Sequence, residues 1–394
     1  MTDATDPAKP VTWLRELLWP VDATETERPG YAVLSRRGRP RLVVPLASRK
    51  AAASALRRDS SDVTTARGLV RRGAAVAARF GLLQPLLRNR FVPGLSGEAE
   101  PLEEHLAGIL GLPGVVLAVT VGSPRPNYKP VLQVMTPEGA TVAFAKVGWN
   151  GLTRTLVTHE ATELDRLDRR RLRRLTPPSV LHLGPWRSTV ISVLSPLQPE
   201  NDERIERRPP TPAELSEMAG IDPGGVQPLT VGGYWQRLSA RVEAVAGETQ
   251  VLAHAVEALG VSGAGLTVGM GRSHGDWTPW NMMPTDRRLL VWDWERTTAS
   301  VPVLLDVLHY FFQTGWLRKG APAAAALDGA VTAAATVAAA LETPPEGARL
   351  LGAVYLVELS LRYAENAGVG TDELRADRHA AVDALLTGLI RSGI

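Results

Sequence analysis

The chain has 394 residues, 44% hydrophobic and 22% charged, with a formal net charge of +3, a globular composition with room for two or three domains and an ample core. It contains no cysteine, which excludes a disulfide framework, a thiolate nucleophile and a thiolate metal site. Met1 to Pro10 is polar and acidic and does not read as a signal peptide; the longest apolar stretch, Ala321 to Leu341, is mostly alanine with Asp328 and Gly329 inside, and reads as a helix of a water-exposed fold rather than a membrane span.

Charge is spread unevenly. Between Arg36 and Arg90 stand fourteen Arg or Lys against Asp59 and Asp62, so the rest of the chain is net negative, at about −9. Tyr31 to Leu34 and Arg41 to Leu46, split by Arg36-Arg37-Gly38-Arg39-Pro40, read as a β-hairpin, and Ser48 to Arg57 and Ala66 to Phe80 read as helices. The result is a small basic α+β module over 1–95. An anionic membrane surface or an acidic polymer fits such a module; the alternative is a solvated basic face, or one packed on the acidic remainder. Nucleic acid fits poorly, since no aromatic residue is interleaved with the arginines and Tyr31 and Phe80 stand at the margins.

Ser96 to Gly111 reads as a short helix. Gly114 to Val121 is a strand, Gly122 to Asn127 a turn, Lys129 to Met135 a second strand, and Ala140 to Val147 a third behind the turn Pro137-Glu138-Gly139. Lys146 lies on that third strand. The chain has 39 Arg but only five Lys. Arginine used for generic charge beside a lysine kept in an apolar strand points to a demand for a compact ammonium. The plainer alternative is a strand-end lysine reaching water. Leu156 to Leu167 is a helix by its apolar spacing at 156, 157, 161, 164 and 167. After the basic run Arg169 to Arg174, Val180 to Gly184 and Ser188 to Leu194 read as the fourth and fifth strands. A polar, proline-bearing stretch, Pro199 to Pro210, precedes helices at Pro212 to Ala219, Gly232 to Ala246 and Thr249 to Leu259.

Leu266 to Met270 then leads into His274-Gly275-Asp276-Trp277-Thr278-Pro279-Trp280-Asn281. Pro284 to Arg287 reads as a turn, and Arg288 to Trp292 as a strand ending at Asp293. This brings Asp276, Asn281 and Asp293 to one end of a hairpin; the bland alternative is a surface hairpin with solvated acids. A buried helix, Val303 to Phe312, and two more at Leu350 to Ala364 and Thr371 to Ile390 close the chain.

His-Gly-Asp, an Asn five residues after the Asp, and a second Asp behind a short turn resemble the aminoglycoside phosphotransferase and choline kinase superfamily, over roughly residues 100 to 365. The resemblance implies an α+β, bilobal protein-kinase-like fold: an antiparallel five-stranded N-lobe over 96–198, a mainly helical C-lobe over 199–394, and the N-terminal extension. It implies an enzyme that uses ATP and Mg²⁺ to move the γ-phosphoryl group to a hydroxyl of a small molecule. Asp276 would be the catalytic residue, and Asn281 and Asp293 the metal ligands. Lys146 would meet the α- and β-phosphates, tied to Glu160, with Glu163 as the alternative partner. Gly122 and Ser123 would lie against the phosphates, and Ser192 to Leu197, through Val193 and Ser195, would offer backbone groups to the adenine edge. ATP use agrees with the cytoplasm, peripheral to a membrane if the basic module docks there.

One departure concerns the turn after the first strand. It lacks Gly-x-Gly-x-x-Gly and holds Pro124 and Pro126, which remove N–H donors. Arg125 and Lys129 supply charge instead, or are solvated turn residues. His274 is expected to brace the loop backbone. Asp306 either supports that loop or is an ordinary helix N-terminal carboxylate. Trp277, Trp280, Trp292 and Trp294 offer aromatic faces to a sugar ring or quaternary amine, or pack in the core. The expected acceptor is sugar-like or a glycoconjugate. An aminoglycoside or amino alcohol is the alternative, and an aminoglycoside needs acids such as Glu200, Asp202, Glu203, Glu206, Glu358 and Glu365 to converge. The competing class is a non-catalytic nucleotide- or partner-binding protein on the same scaffold. An intact Lys146, Asp276, Asn281 and Asp293 argues against it.

Overall fold

A computed structural model of the chain describes residues 10–19, 30–36, 39–57, 90–91, 100–121, 127–168, 172–200, 202–245, 250–365 and 373–393. The expected helix at Ala66 to Phe80 and the turn residues Gly122, Ser123 and Arg125 lie outside them. The chain divides into two compact units, Met1–Asp165 with Pro178–Pro196, and Arg166–Pro177 with Leu197–Ile394.

In chain order the strands begin with β1 (Tyr31–Arg36), β2 (Arg39–Pro45), β3 (Arg90–Phe91), β4 (Val116–Thr120), β5 (Val131–Met135) and β6 (Thr141–Gly148). β7 (Leu175–Thr176) belongs to the second unit, and β8 (Val180–Trp186) and β9 (Thr189–Leu194) return to the first. The first unit is built on one antiparallel sheet in the order β3-β1-β2-β4-β5-β6-β9-β8.

Eight strands stand where five were expected, because the N-terminal hairpin and β3 join the sheet: Tyr31 pairs with Phe91, Leu42 with Thr120 and Val43 with Val119. The hairpin is apolar on both faces, so each face needs a cover. Val43 packs into a core with Trp13, Leu14 and Leu18 of the helix Pro10–Leu18 and with Leu102 and Leu106 of the helix Leu102–Leu110. Val44 faces the other way, onto Ala51 and Ala55 of the helix Arg49–Arg57. The helix Pro10–Leu18 has no counterpart among the sequence expectations. Its packing is tied down by Glu103, whose Oε1 accepts from Tyr31 Oη at 2.5 Å and Trp19 Nε1 at 3.0 Å.

The helix Gly151–Asp168 starts on a reciprocal cap. Asn150 Oδ1 accepts from the Thr153 N–H at 2.7 Å, and Thr153 Oγ1 accepts from the N–H groups of Asn150 and Trp149 at 3.0 and 2.9 Å. The cap fixes where the helix begins and hence which of its acids faces the sheet.

The second unit is mainly helical. Its strands β10 (Gly225–Pro228), β11 (Thr267–Ser273), β12 (Met282–Pro284), β13 (Leu289–Val291) and β14 (Thr298–Pro302) form two small sheets, β10-β11-β14 and β12-β13-β7. β7 pairs in parallel with β13, and the backbone N–H groups of Arg173, Arg174 and Leu175 donate to Glu217 Oε1 at 2.8 to 3.1 Å. The helix Pro212–Ala219 carries Glu217 and begins with a capping box between Thr211 and Glu214. The Ala-rich stretch forms the helix Ala323–Val337. Among the described residues no helix is long and apolar enough to cross a membrane.

Glu214 is buried, its side chain 4% exposed, and forms two parallel 2.8 Å hydrogen bonds with the Arg208 guanidinium. Burial pushes the carboxyl up, but Arg208 and the Thr211 N–H bring it below the ordinary glutamate value. A lowered folded-state value means that the stabilisation is complete above the free carboxylate range and fades as pH falls through the folded value. Arg208→Ala leaves a buried charge unpaired, and urea unfolding at neutral pH is expected to show a loss of about 3–5 kcal/mol. The gap between variant and wild type should narrow on acidification.

Candidate active site

In the first unit, β6 lies between β5 and β9, with Lys146 level with Val131 on one side and Ser192 on the other. Its apolar neighbours hold the stem, and the side chain is only 11% exposed. Glu160, from the helix Gly151–Asp168, is wholly buried and places both carboxylate oxygens 2.7 Å from Lys146 Nζ. Of the two acids left open by the sequence, Glu160 is the one that closes on the lysine; Glu163 is also buried, one turn further along. The Glu160 carboxylate thereby fixes where the Lys146 ammonium sits.

Val193 lies inside β9, between β6 and β8, and is buried. The Ser195 N–H donates to Ser179 O at 2.9 Å, while Ser195 Oγ accepts from the Ser179 N–H at 2.8 Å. The Ser195 donor is spent on closing the β8–β9 end, which leaves its carbonyl as the group to offer. Lys129 is buried, with Nζ 3.3 Å from Asn127 O, and so is not a solvated turn residue.

In the second unit, β11 delivers the chain into the His274 loop. Asp306, on the helix Leu304–Gln313, receives the loop backbone: His274 N–H donates to Oδ2 at 2.7 Å, and Gly275 N–H and Ser273 Oγ to Oδ1 at 3.0 and 2.8 Å. The plainer reading of Asp306 as a helix-end carboxylate therefore gives way to loop support. His274 is buried with its ring turned inward. Its Nδ1 accepts from the Asp276 N–H at 3.3 Å, and its Nε2 lies 3.2 Å from Trp292 O. An acceptor on one nitrogen and a donor on the other is the neutral imidazole. Burial lowers its pKa against the pull of Asp306, Asp276 and Asp293. The ring is the expected backbone brace.

Gly275 has φ of +77°, and a Cβ there would overlap the Arg296 carbonyl oxygen. Glycine is what the turn requires. Arg362, on the helix Gly347–Ala364, donates to Gly275 O at 2.9 Å.

The loop presents Asp276, whose side chain is 27% exposed. Oδ1 is 2.9 Å from His309 Nε2, and Oδ2 accepts from Asn281 Nδ2 at 2.8 Å. The same Asn281 amide nitrogen donates to Asp276 O at 3.0 Å. Burial pushes the carboxyl up, but the His309 hydrogen bond and the charges of Arg362 and Arg296 outweigh it and hold it well below the usual carboxylate range. Asp276 is therefore ionised and weakly basic, better suited to orienting a hydroxyl than to removing its proton outright.

Asn281 points its amide nitrogen at a carboxylate and a carbonyl, both of which need a donor, so its Oδ1 is turned away from Asp276. The β12–β13 hairpin brings Asp293 alongside. Trp292 N–H donates to Asn281 O at 3.0 Å, and Asp293 follows with φ of +70°, a backbone conformation that non-glycine residues rarely adopt. An amide oxygen and a carboxylate are hard donors of the kind Mg²⁺ takes when phosphate oxygens complete its shell. Among the described residues no three His, Cys, Asp or Glu converge on a metal-sized point, so a cation here would depend on such a partner.

Sequence reasoning missed His309, Gln313, Tyr355 and Arg362. A signal existed for the first two. Asp306, His309 and Gln313 stand at i, i+3 and i+7 of an otherwise apolar helix, a buried polar stripe on one face. Tyr355 and Arg362 gave none.

The four tryptophans divide. Trp277 and Trp294 are core, edge-on to His274, while Trp280 and Trp292 are half-buried, with Trp292 Nε1 donating to Trp280 O at 3.1 Å. The six acids named as an acidic set are all ion-paired. Glu200 and Glu203 meet Arg288, Asp202 meets Arg287, Glu206 meets Arg208, and Glu358 and Glu365 meet Arg241.

A strand lysine tied to a helix glutamate in an antiparallel sheet, and a His-Gly-Asp loop ahead of a short hairpin in a mainly helical unit, make the fold α+β and protein-kinase-like. No family model and no curated protein matches the sequence. Among solved structures, the chain is similar to a thermostable mutant of aminoglycoside phosphotransferase APH(4)-Ia in ternary complex with ADP and hygromycin B. The identity is 14% and the TM-score 0.48, over 74% of this chain and 98% of that one. It is also similar to APH(2″)-IIa in complex with gentamicin, at 11% identity and TM-score 0.46, over 74% of this chain and 97% of that one. A third, ADP-bound aminoglycoside phosphotransferase APH(2″)-Ib, has 13% identity and TM-score 0.43, over 71% and 95%.

Proposed function

We propose that the chain is an ATP- and Mg²⁺-dependent phosphotransferase acting on a hydroxyl of a small molecule. The observation that carries this reading is the Asp276–Asn281 contact, which holds an ionised carboxylate while leaving the Asn281 amide oxygen turned away as a ligand. In this reading Lys146, fixed by Glu160, neutralises the α- and β-phosphates. Asn281 and Asp293 hold the metal, and Asp276 orients the acceptor hydroxyl. When bound, Mg·ATP supplies the phosphoryl group and the cation that offsets its charge. The chain's own contribution is then positioning and charge neutralisation.

The acceptor in this proposal is sugar-like. The six acids that an aminoglycoside would call on are each matched to an arginine, which favours a neutral polyhydroxyl compound over a polycation.

A thermal-shift titration tests nucleotide binding. ATP with Mg²⁺ is expected to raise the melting temperature progressively above that with ATP alone, because a ligand of the native state stabilises it by mass action. The absence of any shift in either condition would leave only the non-catalytic class. ATP consumption against sugars, amino alcohols and aminoglycosides then identifies the acceptor.

A further inference from the structure

Behind Asp276 runs a file of buried polar side chains that catalysis by the loop alone does not require. Gln313 Nε2 donates to Tyr355 Oη at 3.3 Å, Tyr355 Oη lies 3.1 Å from His309 Nδ1, and His309 Nε2 lies 2.9 Å from Asp276 Oδ1. Gln313, Tyr355 and His309 are all buried. Burying three polar groups in an apolar helix pair is costly unless each is satisfied. Here each link has a direction. The Tyr355 oxygen receives the Gln313 N–H, so its single proton is free for His309 Nδ1. The imidazole proton then resides on Nε2 and is donated to the carboxylate.

Asn281 fixes only Oδ2. A carboxylate held by one oxygen can still swing about that contact, whereas donors on both oxygens fix its plane. The helix Leu304–Gln313 therefore supports the loop twice, once through Asp306 on the backbone and once through His309 on the side chain.

We propose that His309 is a positioning residue for Asp276, and that Tyr355 and Gln313 act through it by setting its tautomer. This rests on the phosphotransferase reading above. The test measures kcat and the KM for ATP, with the best acceptor, in wild type, His309→Phe, His309→Gln, Tyr355→Phe and the His309→Phe/Tyr355→Phe double variant. Misplacement of a reacting group by about an ångström costs on the order of 100-fold. His309→Phe should lose about that much in kcat, with the KM for ATP little changed. His309→Gln, whose amide can donate to the same oxygen, should recover most of it. Tyr355→Phe should lower kcat in wild type but have no further effect once His309 is gone, since it acts only through the imidazole.

The proposal is overturned if His309→Gln is no better than His309→Phe, or if Tyr355→Phe costs the same in both backgrounds. Should His309→Phe not fold, the near-isosteric Tyr355→Phe decides alone: a fall in kcat at constant KM supports the relay, and an unchanged kcat removes it. If wild type transfers phosphate to no acceptor, the phosphotransferase reading has failed, and ¹⁵N-histidine NMR still addresses the relay. An Nε2-protonated His309 whose signal shifts in Tyr355→Phe supports it, and an Nδ1-protonated ring overturns it.

Discussion

Asp276→Asn is expected to cut phosphoryl transfer by about 100-fold or more, since misplacing the reacting hydroxyl by about an ångström already costs that much, while Mg·ATP binds nearly as well as to wild type. The change removes the charge but keeps the shape, and the charge acts mainly as transfer proceeds. Asp293→Ala should behave differently. Its carboxylate is assigned to the metal before any chemistry, so the variant should lose the Mg²⁺-dependent part of nucleotide affinity and retain the part contributed by Lys146. Calorimetric titration with ATP, with and without Mg²⁺, separates the two, and single-turnover transfer at saturating nucleotide isolates the chemical step. Wild-type turnover in Asp276→Asn would show that another group orients the acceptor.

Asp306→Ala should be the most damaging single change outside the reacting groups. Two loop N–H groups and a serine hydroxyl converge on this carboxylate inside the protein. Each buried donor left without a partner costs about 1–3 kcal/mol. The variant should therefore lose several kcal/mol of stability and, where it still folds, almost all activity. Asp306→Asn keeps one acceptor oxygen but turns an NH₂ toward an N–H, so it should fall between. Denaturant midpoints paired with residual turnover measure both effects. A stable and active Asp306→Ala would mean that the loop holds together without its anchor.

The Lys146–Glu160 pair and the loop and hairpin around Asp276 were legible from the sequence because they are written in residues with few plausible alternatives. A lysine in an apolar strand, when arginine does nearly all other positive duty, marked Lys146. The interval from Asp276 to Asn281 and on to Asp293 marked the loop and hairpin. Glu160 rather than Glu163 is what the resemblance implied, and the Asn150–Thr153 cap supplies the physical reason by setting where the helix starts. The eight-stranded sheet was hidden because alternation shows that a strand is half-buried but not which strand lies beside it. Which backbone group of Ser195 is engaged internally was not legible, because a backbone N–H has no residue signature and its engagement by Ser179 shows only in three dimensions. His309 was passed over because its helix looked uniformly apolar, and the polar stripe within it gains meaning only when it meets Asp276.

The detour of Arg166–Pro177 into the second unit has a consequence for synthesis. The strand bearing Lys146 gains its local neighbour β5 as soon as both emerge, but its other neighbour, β9, is made only after the chain has left for β7 and come back. Until Leu194 has cleared the ribosome, β6 is an apolar strand with one unpaired margin, of the kind that invites pairing with another nascent chain. Lys146 lies on that margin. The residue proposed to meet the nucleotide phosphates is thus placed on an exposed margin of the growing polypeptide, and its strand is sealed by one of the last segments of the sheet to arrive.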